Sequence, residues 1–166
     1  MIEGRHVKLL GHGCDPAKLG NVDHVKATIA GLVEACGMRA LGLHAYDVEI
    51  EIAKLHAEPF EDEGGVTVVG VLSTSHAAIH TWPARGFFVL DVYSCRDFNA
   101  KAITHLLFQA FAREPSPGHV GHTAEGAAAN GAVDLHFRGM TLRRTDLSHA
   151  LEMPADWRQV VAEFRA

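Results

Sequence analysis

Val66-Thr67-Val68-Val69-Gly70-Val71-Leu72-Ser73-Thr74-Ser75-His76-Ala77-Ala78-Ile79-His80-Thr81-Trp82-Pro83-Ala84-Arg85-Gly86-Phe87-Phe88-Val89-Leu90-Asp91-Val92-Tyr93-Ser94-Cys95 is the stretch that decides the fold. It holds three runs rich in β-branched and aromatic residues, Val66 to Ser73, His76 to Trp82 and Phe87 to Ser94, which suit a pleated, half-buried surface. Pro83-Ala84-Arg85-Gly86 parts the last two. Pro cannot continue a hydrogen-bonded ladder and Gly adopts a positive φ freely, so the segment reads as the turn of an antiparallel hairpin. A turn centred on Arg85 sets Ser75 opposite Cys95. His80 lies on the same strand as Ser75, and five residues of straight strand span roughly 16 Å. The two meet only if the chain bends near Ser75.

Outward from this hairpin, the apolar positions Val22, Val25, Ile29, Leu32, Val33 and Cys36 recur at helical spacing, with Asn21 to cap the start and Gly37 to end it. Ile103, Leu106, Leu107, Ala110 and Phe111 predict a second helix, capped by Asp97 or Asn99 and ended by Pro115 and Pro117. Arg5 to Leu10 and Met38 to Leu43 read as strands. So does Val48 to Leu55, where Val48, Ile50 and Ile52 alternate with Glu49 and Glu51. Glu58 to Gly65 is an acidic loop. The small-residue tract His122 to Val133 carries the hairpin signal Asn130-Gly131 but little that would hold a strand, and it reads as mobile. Trp157, Val160, Val161 and Phe164 predict a short C-terminal helix. Consecutive strands joined by tight turns, with two helices, imply an α+β, two-layer sandwich: a mainly antiparallel sheet with helices on one face. If the other face is apolar, a second copy packed sheet to sheet covers it, giving a homodimer or higher homo-oligomer.

Composition bounds the function. The 166 residues, 48% apolar, suffice for one core, and the formal net charge of −5 without a basic run argues against nucleic acid and anionic membrane surfaces. A small-molecule substrate fits better. No uninterrupted apolar stretch approaches membrane-spanning length and no secretory leader pattern opens the chain, so a cytoplasmic location is expected. Cys14, Cys36 and Cys95 are too few and too widely spaced for a disulfide framework, and reduced thiols are expected. His119 and His122 sit three apart in a Gly-rich loop without a third ligand close by, and read as solvated histidines rather than a metal site.

Taken singly, Ser75 is a turn residue, His80 a core histidine and Cys95 a small hydrophobe. Together with their neighbours they say more. Leu72-Ser73-Thr74-Ser75-His76-Ala77-Ala78-Ile79-His80-Thr81-Trp82-Pro83, the later Leu90-Asp91-Val92-Tyr93-Ser94-Cys95, and Gly4-Arg5-His6 with Cys14-Asp15 and Asn21-Val22 resemble the prokaryotic S-adenosylmethionine decarboxylases. The resemblance runs from about Gly4 through the second helix. It implies a decarboxylase-like domain over residues 1–140, cut between Thr74 and Ser75, with residues 141–166 as a C-terminal extension bearing the short helix. By the same resemblance, Ser75 becomes a pyruvoyl group whose carbonyl condenses with the substrate amine. His80 accepts a proton during processing, and Cys95 donates one during turnover. The activity so implied supplies the aminopropyl donor for spermidine synthesis, with no metal and no pyridoxal phosphate (PLP). Proton donation calls for a thiol whose pKa is not depressed. Trp82 offers a stacking wall for a purine, and Arg85 a partner for a carboxylate or phosphate.

Two positions depart from the family pattern: Thr74 and Ala84 both stand where Glu is usual. Ala84 cannot accept the hydrogen bonds of a ribose diol. Two alternatives therefore stay open: the same pyruvoyl chemistry on a basic amino acid, ornithine or arginine, or an unprocessed paralogue that acts as a binding or regulatory subunit.

Overall fold

The computed structural model describes residues 3–55, 63–114, 124–127 and 133–150. Their strands are β1 (Glu3–His12), β2 (Ala40–Asp47), β3 (Val66–Leu72), β4 (His76–Trp82), β5 (Phe87–Ser94), β6 (Ala124–Ala127), β7 (Val133–Phe137) and β8 (Met140–Ala150). They form one 8-stranded sheet in the order β2-β3-β4-β5-β1-β8-β7-β6, and every pairing is antiparallel. The helices are α1 (Pro16–Leu19), α2 (Val22–Ala35), α3 (Val48–Leu55) and α4 (Ala100–Phe111).

Period-two alternation sorts the central strands into two faces. Val68 and Leu72 of β3, Ala77 and Ile79 of β4, Phe88, Leu90 and Val92 of β5, and Val7 and Leu9 of β1 are buried. They share one core with Val25, Ile29 and Leu32 of α2 and with Ile103, Leu107 and Phe111 of α4. Thr81, also buried, donates to the Leu19 carbonyl at the end of α1 (3.0 Å). The two-layer α+β expectation is met: α1, α2 and α4 cover one face, and His76, Ala78, His80 and Trp82 line the other. Phe88 lies at 0% exposure with Phe111 beside it at 5.2 Å between ring centroids. Phe88→Ala is expected to cost about 3–5 kcal/mol, read as a lower urea midpoint at unchanged slope. A loss below about 1 kcal/mol would mean that the core closes over the gap.

The helix ends follow their caps. Asn21 accepts from the His24 N–H (2.9 Å). Asn99, not Asp97, caps α4, taking the N–H groups of Lys101 and Ala102. Gly37, just past α2, has φ +68.

Four expectations change. Val48 to Leu55 is helix rather than strand: Asp47 Oδ1 accepts from the Ile50 N–H (3.2 Å) at its start and Lys54 pairs with Glu51 along it. Its partner β2, expected over Met38 to Leu43, runs from Ala40 to Asp47 as an edge strand. The tract thought mobile carries β6 and the start of β7, paired from Ala124↔His136 to Ala127↔Val133; Asn130-Gly131 between them lies outside the described residues. The expected break at residue 140 falls inside the sheet, because a two-residue turn at Arg138 (φ +48) and Gly139 (φ +75) returns the chain into β8, which pairs along β1. Positive φ at both positions is what such a turn needs. The C-terminal helix and His119 with His122 lie outside the described residues.

Candidate active site

Ser75 stands where β3 turns into β4. The Leu72 N–H donates to the Ser75 carbonyl (3.1 Å), closing a tight turn around the 74–75 peptide. Across the hairpin the observed register pairs His76 with Tyr93 and Trp82 with Phe87, so the turn is centred between Ala84 and Arg85 rather than on Arg85. A short 3-10 turn over Pro83–Arg85 and a left-handed Gly86 set that register. The shift does not separate the pair of interest. The Cys95 N–H donates to Ser75 Oγ (3.3 Å), Ser75 Oγ points back at Cys95 Sγ (3.9 Å), and Thr74 Oγ1 lies 2.9 Å from the same sulfur.

Arg5 of β1 fixes the far side of this group. Its guanidinium reaches Asp97 Oδ1 (2.6 Å) and the Phe98 carbonyl (2.8 Å), and so ties down the segment that follows Cys95. Ser75, Ser94 and Cys95 then open into a cleft of about 400 Å³ whose opposite wall is Cys36 and Arg39, just beyond α2. That wall carries one guanidinium, and Arg96 adds a second on the near side, so the cleft is suited to a small anion-bearing molecule.

The Cys95 thiol is pushed below its usual range, first by the Thr74 hydroxyl. Partial burial opposes this, while Ser75, Arg96 and the residue's own N–H add to it. The expectation of an undepressed thiol therefore fails for the uncleaved chain. Cys14 and Cys36 go the other way: burial raises them to about 12 and about 11.

His80 is not brought to Ser75. It sits exposed on the helix-free face, in register with Thr67 and Val89, and its Nδ1 is 3.0 Å from Thr67 Oγ1. The chain does not bend to close the gap, since β4 runs straight through from His76 to Trp82. Trp82 packs on Phe87 at 5.4 Å on that same face. Ala84 and Arg85 are exposed on the turn, and the Arg85 guanidinium is paired with Glu63. Gly64 and Gly65 hold Glu63 there: a Cβ on Gly65 would come within 2.0 Å of the Thr81 carbonyl oxygen.

The helix-free face has a polar centre that sequence reasoning missed. Asp91 takes His76 Nε2 on one oxygen and His6 Nε2 on the other, each at 2.8 Å, and Tyr93 stacks on the His76 ring. Burial pushes the Asp91 carboxyl up, but bonds from His76 and His6 outweigh it and hold it below the ordinary carboxylate value. Thr67 was missed as well. The available signal was that positions 67 and 80 occupy neighbouring strands of one face.

The model of one protein family, described as S-adenosylmethionine decarboxylase, matches residues 5–119. The chain belongs to the S-adenosylmethionine decarboxylase family. Among its relatives, the S-adenosylmethionine decarboxylase proenzyme of Pyrobaculum arsenaticum is 33% identical over 97 residues, 58% of this chain and 68% of that protein. The proenzyme of a Sulfurihydrogenibium species is 26% identical over 145 residues, 87% of this chain and 95% of its own. Among solved structures, the chain is similar to the adenosylmethionine decarboxylase of Aquifex aeolicus VF5, with a TM-score of 0.49 and 27% identity over 64% of this chain and 78% of that one. The match of residues 5–119 takes in Arg5, the 74–75 peptide, His80 and Cys95, so the geometry described above lies within the segment shared with the family.

Proposed function

We propose that this chain cuts itself between Thr74 and Ser75 and then decarboxylates S-adenosylmethionine. The observation that carries the reading is the contact of Ser75 Oγ with Cys95 at the tight 74–75 turn. Attack of Ser75 Oγ on the Thr74 carbonyl breaks the amide C–N bond and forms an ester in its place. Loss of the Ser75 Cα proton to His80 then expels Thr74 as a carboxylate. Water replaces the remaining nitrogen, which leaves as ammonia, and residue 75 ends as a pyruvoyl group. The residues fit such a group, because Ser75 opens onto the cleft beside Cys95. Once formed, it supplies a carbonyl that condenses with a substrate amine and draws in the electrons released with carbon dioxide. Cys95, in contact with Ser75, then returns a proton to the substrate carbanion.

His80 enters this scheme from a second copy. On its own strand it is separated from Ser75 by roughly 16 Å. A copy packed on the helix-free face brings a His80 to the site, held in orientation by Thr67. Half-buried Phe87, Val89, Trp82 and Leu10 on that face, with Val71 still 46% exposed, supply apolar area for the contact. A cytoplasmic location accords with the reading; no helix among the described residues is long and apolar enough to cross a membrane.

Arg85 is engaged by Glu63, which weighs against its use for a substrate carboxylate and against the basic amino acid alternative. Labelled carbon dioxide release from S-adenosylmethionine, ornithine and arginine, assayed side by side, is expected only from S-adenosylmethionine. Release from ornithine or arginine alone would reassign the substrate, and release from none would sink the enzyme reading in favour of an unprocessed paralogue.

A further inference from the structure

We propose that Thr74 holds Cys95 as a proton acceptor in the uncleaved chain, and that breaking the 74–75 bond removes this hold and returns Cys95 to a thiol able to give a proton. The inference rests on the self-cleavage proposed above. Its starting point is a conflict. Turnover asks Cys95 to donate a proton, yet in the uncleaved chain Thr74 Oγ1 lies 2.9 Å from its sulfur, much closer than Ser75 Oγ at 3.9 Å. A hydroxyl has one proton to donate, and a thiolate accepts it far better than a thiol does. Either atom can donate across this contact; with the hydroxyl as donor it favours the thiolate, and Thr74 is then the foremost cause of the lowered thiol.

Among the described residues, the other groups that face the sulfur are few. Arg96 follows it in sequence and favours the thiolate; Asp97 beyond is neutralised by Arg5; Arg39 and Cys36 stand across the cleft; Ser73, Ser75 and Ser94 are neutral. Thr74 and Ser75 alone among them change covalently when the chain is cut, and Ser75, whose hydroxyl also favours the thiolate, loses that hydroxyl outright. The N-to-O shift moves the Thr74 acyl group onto Ser75 Oγ. Elimination then breaks the Ser75 Cβ–O bond, the Cα proton passes to His80, and Thr74 leaves as a terminal carboxylate. Two effects follow, both of one sign. The hydroxyl is no longer fixed to residue 75, and a negative charge now ends the chain beside the sulfur; loss of a donor and gain of a like charge each disfavour the thiolate. Before the cut, Cys95 is the acceptor to which Ser75 Oγ points. After the cut it is a donor. A Glu at position 74, usual in the family, has no hydroxyl to donate, so the device belongs to the threonine.

The test reads the pH profile of Cys95 alkylation by iodoacetamide, peptide by peptide, in chains kept whole by Ser75→Ala. Cys14 and Cys36, raised to about 12 and about 11, serve as slow internal references. Adding Thr74→Val is expected to move the Cys95 midpoint to higher pH, and Thr74→Ser to restore it. The cleaved wild type should show a midpoint above that of the whole Ser75→Ala chain. A Thr74→Val profile that superimposes on its parent overturns the hold. A cleaved profile no higher than the whole chain's overturns the release. Intact mass reports cleavage separately: a wild-type chain that stays whole overturns the release together with the proposed function, while the valine comparison still judges the hold.

Discussion

Ser75→Ala is expected to keep the chain in one piece and to reduce carbon dioxide release from S-adenosylmethionine to background, while the fold survives. Wild type should run as two fragments, residues 1–74 and 75–166, the second without a free N-terminal amine. The reason for so complete a loss is chemical. Oγ is both the nucleophile that breaks the 74–75 amide and the atom later expelled from residue 75, so alanine removes the first step and the electrophile together. No neighbour can stand in. Thr74 Oγ1 and Cys95 Sγ are close to Ser75, but neither belongs to the residue whose nitrogen must be released. The structural cost is small by comparison: the variant loses the bond from the Cys95 N–H, 3.3 Å long and only partly buried, which contributes about 0.5–1.5 kcal/mol, and the longer 3.9 Å contact to Cys95 Sγ. Far-ultraviolet dichroism and a thermal midpoint near that of wild type would show that the variant is folded. A folded Ser75→Ala chain that still splits at residue 74, or still releases carbon dioxide, would remove Ser75 from the chemistry.

How much of this was legible depends on how local each signal is. The β4–β5 hairpin was readable because alternation and Pro83 to Gly86 carry its physics within twenty residues, and the placing of Ser75 near Cys95 followed from strand arithmetic alone. The arithmetic erred by half a step, since a 3-10 turn with a left-handed Gly86 has its own centre. Val48 to Leu55 misled because eight residues satisfy both periods: Val48, Ile50 and Ile52 alternate, while Val48, Ile52 and Leu55 share a helical face. The Asp47 cap, a local signal three residues from its partner that the alternation overshadowed, marks the helix start. β8 left no local mark that it would lie beside β1, a pairing between opposite ends of the chain. In the site, Thr74 was read as the residue before the cut and as a departure from the family pattern, its side chain given no partner. Its bond to Cys95 arises from the bend between β3 and β4, where alternation no longer says which way a side chain points.

A mixed assembly gives the other large effect. Two differently tagged chains, Ser75→Ala and His80→Ala, are each expected to stay whole when made alone, the first for want of a nucleophile and the second for want of a base. Co-expressed and purified through both tags, the His80→Ala chain should be cut at residue 74, while its Ser75→Ala partner remains whole. The prediction follows from parity and length. Residues 76, 78, 80 and 82 face away from the helices and 77, 79 and 81 face toward them, so His80 belongs to the helix-free face, while Ser75 lies just before the start of β4. Along the strand they are also roughly 16 Å apart. Proton transfer needs a separation near 3 Å, and no rotamer of His80 spans that distance along the strand. Its Nδ1 is in addition held by Thr67, leaving Nε2 directed outward, toward whatever covers the helix-free face. A base supplied by a second copy predicts rescue in the mixture, whereas a base acting within its own chain predicts none, because no single chain there has both residues. Thr67→Val in the Ser75→Ala chain should slow the rescue without abolishing it, since it loosens the imidazole but leaves the base in place. Two tags recovered together with the His80→Ala chain uncut would place the proton acceptor elsewhere and leave the sheet-to-sheet contact without a catalytic reason.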